Sequence, residues 1–141
     1  MNIETKVYQI LTKDRYLTTL LDTIRGKKLD ETAIWKYDIP ENYRKKEWAP
    51  FIRISPIYES DYLYSDDDEM SEEQRVQISF WCEKDSDAYE IKQAIDRALK
   101  KYDFTRYTAN ENPRYKDPDI DLLINHRKYR FYDWQKQKEA I

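Results

Sequence analysis

Glycine is almost absent from this sequence, with Gly26 the single one in 141 residues. Loops that cradle phosphate need several glycines to bring backbone amides against the anion. Dinucleotide-binding and P-loop chemistry are therefore excluded. Cysteine is as scarce: Cys82 stands alone, which excludes an internal disulfide and a cysteine zinc site and fits a reducing compartment. No apolar run approaches the ~20 residues that span a bilayer, and the N-terminus lacks a signal-peptide pattern. A cytoplasmic origin and no membrane partner are expected. The net charge is −3, so no whole-chain basic field recruits nucleic acid.

What the chain does have is charge and aromatic surface. Charged residues reach 38%, hydrophobic residues only 40%, and thirteen Tyr and four Trp lift the aromatic share to 15%. Large rings bury much area each and work against disorder, so a thin, aromatic-rich core under a charged surface follows. The length suits one domain with one core. We place that domain at 1–134, with residues 59–74 protruding and 135–141 a polar tail.

Periodicity gives the elements. Ile3, Val7, Ile10 and Leu11 recur at helical spacing over residues 3 to 12. Asp14 suits the N-cap of a second helix carrying Leu17, Leu20, Leu21 and Ile24, and Gly26 suits its left-handed C-terminal cap. A weak strand at Ala33 to Tyr37 precedes a loop from Asp38 to Pro50. Phe51 to Tyr58 is a strand in which Pro56 favours an edge or a bulge.

Residues Glu59 to Gln74 then carry eight acids and no base. Self-repulsion predicts an extended, mobile hairpin loop. It leads into the alternating strand Arg75-Val76-Gln77-Ile78-Ser79-Phe80-Trp81. A helix follows from Asp85 to about Tyr102, with Ala88, Ile91, Ile95, Ala98, Leu99 and Tyr102 on one face. Asp87 with Glu90, or else Asp85 or Ser86, suits its cap. Phe104 to Thr108 makes a short strand, Asn110 to Asp119 a turn-rich loop, and Ile120 to Tyr132 a last strand hairpin-paired with Phe104–Thr108. The fold class is α+β: an antiparallel or mixed sheet of about four to five strands, with N-terminal helices and one long central helix on one face. Phe80, Trp81, Ile91, Ile95 and Leu99 are assigned to the core.

No constellation reads as a reaction centre. A nucleophilic triad at His126 would need a serine or Cys82 and an acid brought to it by folding. Flanked by Arg127 and Lys128, it reads as a surface or interface residue. The cluster Asp66-Asp67-Asp68-Glu69 lacks the spacing and glycine of an EF-hand and reads as solvated acid. Pro118-Asp119-Ile120-Asp121 invites comparison with metal nucleases, but the acid–any–lysine triplet they need on the next strand is missing. Arg127, Lys128 and Arg130 interleave with Tyr129 and Phe131 as single-strand binding surfaces do. Plain strand alternation, with Tyr129 and Phe131 inward, explains the same pattern. Cys82, at the start of a helix turn, has no adjacent base or second thiol. No catalytic group, metal or cofactor is expected, and no enzyme activity.

The order of these elements resembles a known family. Glu73 to Cys82 ends in the pair Phe80-Trp81, followed by an acid-capped helix with Ile91-Lys92-Gln93-Ala94-Ile95. The opening helix holds Val7-Tyr8-Gln9-Ile10-Leu11-Thr12, with Leu17 to Leu21 behind it. This is similar to the tail completion (tail terminator) proteins of long-tailed phages infecting Gram-positive bacteria. The late block Tyr107 to Pro113, running on into Asp121 to Arg127, looks like one branch of them. The resemblance covers roughly residues 3 to 134.

The resemblance implies a structural protein of the virion, made in the host cytoplasm. It would form a hexameric ring at the head–tail junction, touching the major tail tube protein and the head connector or neck proteins, with DNA only in passage. A head completion protein of the neck and a nucleic-acid binder are the rival readings. A ring joins one patch to a different patch on the next subunit. The purely acidic 59–74 segment contrasts with residues 100–141, which hold ten bases against seven acids. The acids would meet a neighbour's basic strand or line the channel. Glu59, Asp61, Asp66, Asp67, Asp68, Glu69, Glu72 and Glu73, with an outward-facing Arg127 and Arg130, are the expected assembly residues.

Overall fold

The computed structural model describes residues 1–65, 68–107 and 112–133, giving the backbone path alone between 61 and 71. The tail 135–141 lies outside the described residues. Two helices, α1 (Ile3–Lys13) and α2 (Arg15–Arg25), precede a short strand β1 (Ile34–Lys36). Two long strands follow, β2 (Phe51–Ser65) and β3 (Asp68–Cys82), and then the helix α3 (Asp85–Lys100). The chain continues through β4 (Thr105–Arg106), β5 (Arg114–Asp117) and β6 (Leu122–Asp133). The strand order is β1-β2-β3-β6-β4, with β5 also on β6. β1 runs parallel to β2 and every other pairing is antiparallel, so the sheet is mixed. The expected α+β class holds, with six strands in the sheet among the described residues.

Local chemistry explains most boundaries. The Asp14 carboxylate accepts from the Leu17 amide at 2.9 Å, capping α2. Gly26 ends α2 at φ +83°, which a Cβ would strain. α3 starts at Asp85 as expected, without the expected side-chain cap, and ends two residues early. Its N-cap is Lys84, which has no side-chain cap, and Asp85 and Asp87 act instead as charges in the first turn. The helix stops at Lys100, so Tyr102 is 52% exposed rather than on the apolar stripe.

Two apolar clusters flank the sheet. On one face α1, α2 and α3 bury Val7, Leu11, Leu21, Ile91, Ile95 and Leu99 against Ile52, Ile54, Val76, Ile78, Phe80, Tyr129 and Phe131. On the other, Phe51, Trp81, Leu122 and Ile124 gather Ala33, Ile39 and Ala49 from the loops. Phe80 and Trp81 are neighbours in a strand and so point to opposite faces. The expected single core is therefore two. Arg25 pins the loop from Asp38 to Pro50 to α2: its guanidinium donates to the carbonyls of Trp48 at 3.0 Å and Pro50 at 2.7 Å.

Three sequence expectations change here. Asn110–Asp119 is not all loop, because Arg114–Asp117 pairs with β6. The last strand has β3 as its main partner, from Glu72↔Asp133 to Cys82↔Leu123, and β4 covers only Arg130 and Tyr129. Residues 59–65 and 68–74 continue β2 and β3 as paired antiparallel strands, so the expected extended hairpin is there as strand and not as unpaired loop.

Candidate assembly surface

β2 and β3 form a hairpin of two 15-residue strands, about 50 Å long at ~3.3 Å per residue. Helices cover its base, where the inward residues are apolar. Beyond Pro56 and Val76 it becomes the acidic arm. A register shift falls between Pro56 and Tyr58, the bulge that the proline suggested. The register spreads the acids along the arm. Glu59 faces Gln74, Glu73 faces Ser60, Glu69 faces Tyr64 and Asp68 faces Ser65. Among the described pairs, only Asp61↔Glu72 sets acid against acid. Asp66 and Asp67 lie outside the described residues.

The arm's acids are not equivalent. Glu59 is exposed, whereas Glu73 is buried and paired with Arg75. Glu72 is half-buried and accepts from Gln74. Glu73 therefore secures the strand and is not offered to a partner.

Arg127 is not outward-facing. It shares strand parity with Tyr129 and Phe131, so it lies beneath α3 with its side chain 13% exposed. There it meets Asp96, whose carboxylate accepts from Arg127 Nη2 at 2.6 Å and from Nε at 3.3 Å. The Tyr129 hydroxyl also donates to Asp96. Burial raises the Tyr129 hydroxyl pKa well above its ordinary value. Asp96 was missed from sequence. Its signal was indirect: a cation at a buried strand position demands a carboxylate, and Asp96 is one of four acids in the helix above.

Arg130 does point outward, onto the helix-free face. The guanidinium of Arg75 lies over Tyr58 at 4.3 Å and Tyr107 at 5.2 Å, and Arg130 lies 5.4 Å from the same Tyr107. By register, Arg53, Arg75, Lys128 and Arg130 share this face with Tyr58. Arg53 also stands over Trp81 at 5.1 Å.

Folding does bring a serine to the histidine. Ser79 Oγ lies 2.9 Å from His126 Nδ1, Gln77 Nε2 lies 3.2 Å from it, and the Tyr115 hydroxyl is 3.1 Å from Nε2. Ser79 is buried, so this geometry withholds its hydroxyl from a substrate. Burial and the cations Arg53 and Lys128 hold the His126 pKa below its ordinary value. A depressed folded pKa adds stability that is full above the unfolded value near ~6.5 and is lost as pH falls through the folded value. Wild type should lose stability between pH 7 and 5 more steeply than His126→Gln in urea unfolding. Equal slopes would contradict the assignment.

The acids Asp119 and Asp121 of the nuclease-like stretch, and Asp117 just before it, go separate ways. Asp117 accepts from Trp81 Nε1 at 2.9 Å and from the Asp119 amide at 3.0 Å. Asp121 pairs with Lys46 at 3.1 Å and Lys116 at 3.0 Å. Asp119 stands exposed near Arg44. Among the described residues no group of three acid, cysteine or histidine side chains could hold a metal ion. Cys82 is buried and burial pushes its thiol up to about 12. It should alkylate only as fast as the fold opens, so iodoacetamide labelling at pH 8 should accelerate sharply in urea.

No protein-family model matches this sequence, and the curated proteins hold no match. Among solved structures, the gp17 protein of bacteriophage SPP1 shares the fold. The match has a TM-score of 0.51 and 12% identity, covering 92% of this chain and 86% of that one.

Proposed function

We propose that this chain is a phage virion structural protein that caps the tail tube and joins tail to head as a hexameric ring. The observation that carries the reading is the fold shared with a bacteriophage protein over nearly the whole of both chains. The acidic strand pair supports it, since a charged arm extending from the sheet suits a contact between unlike patches of neighbouring subunits. In this reading the protein touches itself, the major tail tube protein and the neck proteins. It meets DNA in passage and resides at the head–tail junction. Deleting the gene and imaging the lysate tests it. Filled heads beside detached, over-length or irregular tails are expected. Leaking heads with normal free tails would move the protein to head completion in the neck, and intact particles would refute both.

One observation favours a second reading. Arg53, Arg75, Lys128 and Arg130 share the helix-free face with Tyr58 and Tyr107, a mixture that suits phosphate contact and base stacking. Binding of single-stranded DNA that weakens steeply with salt would support it.

A further inference from the structure

The sheet ends in two unlike edges, and they are complementary. On one side β1 covers β2 only at Ile52, Arg53 and Ile54. Beyond Ile54 no described strand pairs with the outer side of β2, where Ile57, Tyr58 and Glu59 are exposed. On the other side β4 closes the strand order, with Thr105 and Arg106 both exposed. A cleft of about 650 Å³ lies beside β4, lined among others by Lys100, Asp103, Phe104 and Arg106. Open strand edges template further pairing, and proteins ordinarily blunt them. Here the β2 edge carries Glu59 and Asp61 just past Tyr58, and the β4 edge carries Arg106, with Lys100 and Asp103 in the cleft beside it.

The two edges also lie level. Thr105 pairs with Arg130, Arg130 with Arg75, and Arg75 with Tyr58, so Thr105 and Tyr58 mark one row across the sheet. Strand directions match as well. β2, β3, β6 and β4 alternate in direction, so rotating a copy about an axis along the strands sets its β2 antiparallel to β4. In that pose Tyr58 of the copy faces Thr105, and Glu59 of the copy falls diagonally across from Arg106 on the same sheet face.

The geometry points to a second copy of this chain as the partner of these edges. The outer edge of β2 around Tyr58 adds to β4 of the next subunit, making a heterologous contact that closes by rotation. This deepens the ring reading and rests on it.

The test is Tyr58→Cys combined with Thr105→Cys, oxidised in purified particles. A covalent ladder beyond the monomer in the double variant, with none in either single variant, is the expected result. Particles that carry the double variant at wild-type amounts yet give only monomer overturn the edge pairing and leave the ring reading intact. Particles that lack the wild-type chain overturn the ring reading itself, and this inference with it. Should the double variant fail to incorporate, charge exchange decides. Glu59→Arg and Arg106→Glu should each lower incorporation about tenfold, and together restore it. Absence of restoration overturns the proposal.

Discussion

Trp81→Ala is expected to lower stability by about 4 kcal/mol, the range for deleting a buried aromatic ring. Trp81 is 1% exposed and lies 5.4 Å from the Phe51 ring, centroid to centroid. Its removal empties the centre of the smaller cluster. It also takes the indole donor from Asp117, a buried carboxylate. Burial alone would raise the Asp117 pKa. The Trp81 and Asp119 hydrogen bonds and the cations Arg44 and Arg53 outweigh burial and bring it below the ordinary value. A depressed folded pKa gives stability that is present above the unfolded value near ~3.9 and lost as pH falls through the folded value. Trp81→Phe keeps most of the ring and loses the donor, which should cost about 1–2 kcal/mol. Urea unfolding followed by circular dichroism measures both. A loss under about 1 kcal/mol for Trp81→Ala would show that the second cluster is not a packed core.

Asp96→Ala should destabilise by about 2–3 kcal/mol. Breaking a buried pair costs ~3–5 kcal/mol because it strands the remaining charge, and Asp96, one-third exposed, warrants the lower figure. Arg127 would stay 13% exposed beneath α3 without that carboxylate, and Tyr129 would lose its acceptor. Replacing the pair together, Asp96→Leu with Arg127→Met, should recover most of the loss, since apolar groups of similar volume fill such sites without a desolvation cost. The double-variant cycle separates the pair from simple packing. Additive losses at the two positions would contradict the coupling.

The elements that sequence reading located well are those set by local chemistry. The Asp14 cap, the Gly26 stop and the buried stripe Ile91, Ile95 and Leu99 follow from spacing and side-chain type alone. Three features required partners distant in sequence. The acidic arm is a strand pair because its register offsets charges that appear only as a run along the chain. β5 is four residues long and becomes visible as a strand only through β6. Parity within β6 already placed Arg127 beside Tyr129, and strand alternation argued against an outward orientation from the start. Only the fold could supply Asp96. The contrast of acid against base that motivated a head-to-tail contact was legible in the sequence. Its placement on opposite, level edges of one sheet was not.

Locating the chain in the particle tests the central claim most directly. A small exposed epitope on the C-terminal side, labelled with gold antibody on intact virions and on isolated tails, gives the position by electron microscopy. Label confined to the head–tail junction on virions, and to the head-proximal end on isolated tails, is the expected result. Label spread along the tail or the capsid, or particles with none of the chain, would contradict it.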